Sequence, residues 1–170
     1  MVVRRLELWL VVCAILAGCQ RSPRILSDWR GHWDQSHRGV DLGAELGAPV
    51  MAAADGVVSR VETSVKSGIT LTIKHARAPA RLVRRPGFVW TSYTLLASAV
   101  VHPGEQVRRG QVLGTIGVFP ASRRVPQLHW RLCNDRACSM TEDPLPVTVG
   151  CFDVAKRYPL RLVLTFPVGC

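Results

Sequence analysis

The pentapeptide His37-Arg38-Gly39-Val40-Asp41 places an imidazole and a carboxylate four residues apart. Both side chains are zinc donors, and zinc holds its donor atoms at about 2.0–2.2 Å. In a straight strand, rising about 3.3 Å per residue, the two Cα atoms would stand roughly 13 Å apart, too far for one ion. The segment must curl for the two to share a metal, and Gly39 can supply the unusual backbone angles. A helix would also bring residues i and i+4 together, but glycine followed by β-branched Val40 makes poor helix text. A surface turn carrying an unrelated His and Asp satisfies the same spacing, because short metal patterns recur by chance.

The elements that must position these residues read as short strands. Asp55-Gly56 is a turn dipeptide. It is followed by an apolar run at Val57–Val61 and, after Ser67-Gly68, by period-two alternation at Ile69–Ile73. Further strands are expected at Val89–Leu96, Gln111–Ile116 and Leu128–Leu132. In the last of these, Leu128, Trp130 and Leu132 face one way and His129 and Arg131 the other. The 14 Gly and 11 Pro are scattered along the chain. Short strands with Gly and Pro turns predict an all-β, antiparallel fold, and no long amphipathic helix is expected. Arg77–Pro86 reads as a basic, Pro-bearing loop, solvated or aimed at an anionic group.

Composition bounds the rest. The chain has 170 residues, 48% hydrophobic and 20% charged, which fits one globular domain and excludes a disordered chain. A net charge of +10 suits an anionic partner without choosing among nucleic acid, anionic lipid and an acidic polymer. Arg4 and Arg5 precede an apolar run over Leu6–Leu16 that is too short to span a bilayer, so residues 1–18 read as a secretory signal. Leu16-Ala17-Gly18-Cys19 resembles the lipobox of bacterial lipoproteins, in which the cysteine carries the lipid. Gln20 lacks the acidic character of an inner-membrane retention signal, so the expected place is the outer membrane, facing the periplasm. Residues 19–35 then form the lipid anchor and tether, with a reach of roughly 50 Å. Cys133, Cys138, Cys151 and Cys170 follow in an oxidising compartment, where four cysteines allow three connectivities. We expect Cys133–Cys138 across the turn Asn134–Ala137, and Cys151–Cys170 closing the tail. A cysteine zinc cluster is the competing reading, weakened by the absence of paired C-x₂₋₄-C spacing.

Taken in order, several blocks resemble the LytM/lysostaphin family of zinc endopeptidases, which cut peptides of bacterial peptidoglycan. They are His37–Leu42, Leu46–Val50, Ala52–Val58, Tyr93–Leu96, Val107–Gly114, Gly117 and Gln127–Trp130. The resemblance implies an antiparallel β core with a groove over one zinc ion, within a domain at residues 36–140; residues 141–170 read separately as a C-terminal β extension, from Leu160, Leu162, Leu164 and Phe166 on one face. It implies His37, Asp41 and His129 as zinc ligands; residue types alone could not choose His129 over His32, His75 or His102. It implies peptidoglycan as the partner, reached from a membrane anchor, and no nucleic acid.

The same resemblance exposes a departure. Two further family histidines orient the attacking water or stabilise the oxyanion, and their positions hold Leu95 and Gln127. Arg131 stands where the family has a glutamate. General acid–base help contributes about 10²–10⁴-fold, and an oxyanion donor on the order of 10²–10³. Leucine offers neither, and glutamine donates a hydrogen bond but moves no proton near neutral pH. The expected function is peptidoglycan binding or regulation of a cell-wall hydrolase, with weak or no proteolysis. The alternative is an active endopeptidase with a substitute base, for which His75 is the candidate. A lipoprotein that keeps zinc for stability alone is a third reading.

Overall fold

The computed structural model describes residues 22–29, 37–78, 87–159 and 162–170. The expected signal peptide, Cys19 and His32 lie outside these residues, as does most of the basic loop beyond Ala78.

Among the described residues twelve strands occur in order. They are β1 Arg24–Ser27, β2 Val40–Gly43, β3 Pro49–Met51, β4 Gly56–Ser64, β5 Gly68–Ala78 and β6 Gly87–Ala99, then β7 Gln106–Val107, β8 Val112–Ile116, β9 Gln127–Cys133, β10 Thr141–Glu142, β11 Thr148–Cys151 and β12 Leu164–Phe166. Among the described residues the only helical turns are two short 3-10 segments, Pro120–Ser122 and Leu145–Val147. The all-β expectation holds. Ten strands form one sheet in the order β1-β2-β9-β6-β5-β4-β7, with β10 added to β9 and β8 joining β3 to β6. Every pairing within it is antiparallel, while β11 and β12 make a separate parallel pair.

Strand β9 explains how the sheet divides its faces. Leu128, Trp130 and Leu132 are buried, whereas Gln127, His129 and Arg131 are half-buried. The period-two side-chain alternation of a strand sends the first set into the core and the second to the opposite face. The core gathers Val40, Leu42, Leu71, Ile73, Val89, Tyr93 and Trp130, all at 0% exposure. Each such side chain contributes about 1.5–3 kcal/mol of transfer free energy.

Part of the expected tether belongs to the sheet. Arg24–Ser27 pairs with β2 as an edge strand, and Pro23 is buried. Its pairing with β2, not a hydrophobic pattern of its own, orders it; only Leu26 and Ser27 are half-buried. The C-terminal extension likewise shares the main core, through Leu164, Phe166 and Val168. Arg109 fastens it: its guanidinium donates to the carbonyls of Ala53 at 2.6 Å and Val163 at 2.7 Å, and stacks 4.4 Å above the Tyr158 ring. Disulfides join Cys133 to Cys138 and Cys151 to Cys170, the expected pairs.

Candidate metal centre

His37 precedes β2, Asp41 lies within it, and His129 lies on the adjacent β9, where Asp41 and His129 are register partners. Directly opposed residues of an antiparallel pair point to the same face, with Cβ atoms about 4.5–5.5 Å apart. The ladder therefore brings together two residues that are 88 apart in the chain, with His129 Nδ1 2.8 Å from Asp41 Oδ1. A bend at Gly39 turns His37 back over the strand and puts its Nε2 3.3 Å from Asp41 Oδ2. The two imidazoles meet edge to face, with centroids 5.1 Å apart. One donor atom from each of the three residues lies within 4.8 Å of the others.

The chemistry of this donor set fits zinc. Two atoms each about 2.0–2.2 Å from a tetrahedral ion stand roughly 3.3–3.6 Å apart, and the two histidine–carboxylate separations here are 3.3 and 2.8 Å. His37 Nε2 is buried and makes no hydrogen bond, although a carboxylate lies beside it. Its other nitrogen, Nδ1, lies 2.9 Å from the carbonyl of Asp28. A carbonyl only accepts, so Nδ1 carries the proton and Nε2 presents its lone pair to the site. Side-chain exposures of 17%, 15% and 22% for His37, Asp41 and His129 leave the trio open on one side. Three protein donors leave a tetrahedral ion one position for water or substrate.

Gly39 acts differently from the expectation. It is not among the residues with positive φ. It is required because a Cβ there would meet His129 Cε1 at 2.6 Å and Arg131 Cγ at 2.8 Å. The need is close approach between strands rather than unusual backbone angles.

The remaining predicted residues are placed as follows. Gln127 lies two residues before His129 on the same face of β9. Leu95 adjoins Thr94, the register partner of His129 on β6. Its backbone is left-handed, with φ of 75°, at a point where β6 carries one residue more than β5. For leucine this conformation costs about 1–2 kcal/mol. It is held by Leu95 N–H donating to Ser67 O at 3.1 Å and Gly117 N–H donating to Leu95 O at 2.9 Å. Leu95 is 3% exposed.

His75 is not brought to the trio. Its Nε2 lies 2.7 Å from Thr91 Oγ1, and Thr91 is the register partner of Leu132 on the core face of β9. The Asp55 carbonyl, 2.8 Å from Nδ1, fixes the proton on that nitrogen. Burial, with the Arg109 charge adding to it, lowers the His75 pKa to about 4 against the opposing influence of Asp55. His102 is exposed and faces Glu105 at 3.4 Å.

Residue-type reasoning missed the Asp28 carbonyl. A backbone acceptor carries no signature in residue type, and the alternation that locates β9 is absent from β1. It also missed Thr94, which sits across from His129 and bonds to Thr70 at 3.3 Å.

Comparison with known proteins agrees with this geometry. The sequence profile of peptidase family M23 matches residues 35–140. The peptidoglycan DD-endopeptidase ShyC of Vibrio cholerae is 34% identical over 98 residues, covering 56% of this chain and 20% of ShyC. The chain thus corresponds to about a fifth of that relative's length. Among solved structures, the catalytic domain of the antimicrobial peptidase lysostaphin from Staphylococcus simulans superposes with a TM-score of 0.55 at 23% identity, covering 74% of this chain and 90% of that one. A zinc-containing peptidase from Vibrio cholerae gives a TM-score of 0.51 at 28% identity, over 65% of this chain and 33% of its own. The matched profile spans the donor trio and the sheet that assembles it, and the chain belongs to peptidase family M23.

Proposed function

We propose that this chain is an envelope lipoprotein whose M23 domain holds one zinc ion at His37, Asp41 and His129. It grips peptidoglycan peptides in the groove beside that ion, with weak or no hydrolysis, and thereby tethers the wall or regulates a partner hydrolase. When bound, zinc supplies Lewis acidity to a peptide carbonyl and lowers the pKa of bound water towards about 7.

The protein's own groups do the rest. Asp28 O orients the His37 imidazole. The β2–β9 ladder fixes Asp41 against His129. The observation that carries the reading is a converged donor trio, with Leu95 and Gln127 at the positions where the family has histidines. Neither side chain can take a proton from water near neutral pH. Among the described residues, the buried histidine is His75, and it is committed to Thr91 and the Asp55 carbonyl on the other face of the sheet.

The deciding experiment pairs metal analysis with wall assays. The purified protein should carry about one zinc, retain purified sacculi, and leave their turbidity unchanged. Lysis that disappears with a chelator overturns the reading in favour of an active endopeptidase. Labelled palmitate should enter the wild type and not Cys19→Ala; failure to label the wild type removes the lipid anchor and the outer-membrane location with it.

A further inference from the structure

The face of the sheet that carries the metal trio also carries an ordered row of residues beside it. Arg60 on β4 pairs in register with Thr72 on β5, Thr72 with Ser92 on β6, and Ser92 with Arg131 on β9. The neighbouring row runs from Glu62 through Thr70 and Thr94 to His129 and Asp41. The two rows are two residues apart along β9, or about 7 Å.

Arg60 and Arg131 close over the floor made by Thr72 and Ser92, both at 0% exposure. Arg131 donates from Nη2 to Ser92 Oγ at 3.2 Å, and Arg60 Nη1 faces Glu62 at 3.4 Å. The Nε of each arginine and the hydroxyl of Thr72 are buried without a hydrogen-bond partner. Buried cations are ordinarily paired, because desolvating a charge without a partner is costly. Here two half-buried guanidiniums share one floor, and Glu62, 55% exposed, is the carboxylate paired with Arg60.

We infer that Arg60 and Arg131 form a carboxylate-binding subsite for the peptide held at the metal centre. An arginine accepts a carboxylate in a planar, bidentate geometry. An extended peptide advancing about 3.3–3.6 Å per residue from the trio places a group two residues on above Arg131. The subsite selects wall peptides with a free carboxylate at that position, and discriminates against amidated ones. It rests on the wall-peptide reading above, and it assigns Arg131, a basic residue where the family has an acid, a role in specificity.

The test titrates the full chain with cross-linked peptides released from purified peptidoglycan, either native or amidated at their carboxylates. The wild type should bind the native form at least about tenfold more tightly. Arg60→Gln and Arg131→Gln should each lower affinity for the native form while leaving the amidated form unchanged. The double substitution should abolish the preference. Retained binding of the amidated peptide reports a folded site in every variant. Equal losses for both forms, or no preference in the wild type, overturn the subsite while leaving the wall-peptide reading intact. A wild type that binds neither form overturns both.

Discussion

His75 gives the protein a specific acid sensitivity. Its imidazole is 2% exposed and its pKa is lowered from 6.5 to about 4, chiefly by burial. Above pH 6.5 both folded and unfolded chains carry it neutral, and its full contribution to stability is present. As the pH falls, the unfolded chain binds a proton that the folded chain refuses, so stability declines. The loss is complete below about pH 4, where both states are protonated. A lowering of this size corresponds to on the order of 3 kcal/mol across the window, at about 1.4 kcal/mol per pKa unit. At pH 4.5 most of that loss should already be present. For a chain of this size, each kcal/mol moves Tm by about 2–4 °C. Urea unfolding can be followed by tryptophan fluorescence, Trp130 being fully buried, at pH 7.5 and 4.5 for wild type and His75→Gln. Chelator in every sample makes any contribution of the metal trio common to both proteins. The wild type should lose about 2–3 kcal/mol more than the variant between the two pH values. Equal losses would refute the picture of a neutral histidine sealed on the core face.

Three further outcomes follow from the geometry. Gly39→Ala drives a Cβ to within 2.6 Å of the His129 ring, so zinc affinity measured by competition with a chromophoric chelator should fall at least about tenfold, the scale of effect seen when a ligand's orientation is disturbed. Leu95→His combined with Gln127→His restores the two family histidines, and turbidity of purified sacculi should then clear at least about a hundredfold faster than with wild type. Cys151→Ser opens a loop of 19 residues' separation, and by loop entropy should cost about 3 kcal/mol in urea unfolding, while Cys133→Ser, with a separation of 5, should cost about 2 kcal/mol.

The strands carrying His129 and the core were legible because alternation at Leu128–Leu132 is a local property of the sequence. His37 and Asp41 were legible as a pair because they are neighbours. His129 was not selectable on residue type, since its place opposite Asp41 comes from a ladder between strands 88 residues apart. Only the order of family blocks pointed to it. Strand β1 escaped because two of its four residues are exposed and it borrows its order from β2. The bulge at Leu95 escaped for another reason: leucine disfavours the left-handed conformation it adopts there, so residue preference argues against what the surrounding hydrogen bonds impose.

The Asp28 carbonyl links the donor trio to the chain's N-terminal arm. Three ladder pairs, Arg24 with Gly43, Ile25 with Leu42 and Ser27 with Asp41, join β1 to β2, and Asp28, the residue just after this short zipper, holds the His37 ring. Mechanical load applied to the chain before Arg24 runs through those pairs before it reaches any other part of the sheet. Peeling β1 away would release the His37 imidazole while leaving Asp41 and His129 in place. Opening of this four-residue edge strand would thus free one of the three donor side chains without unfolding the strands that hold the other two.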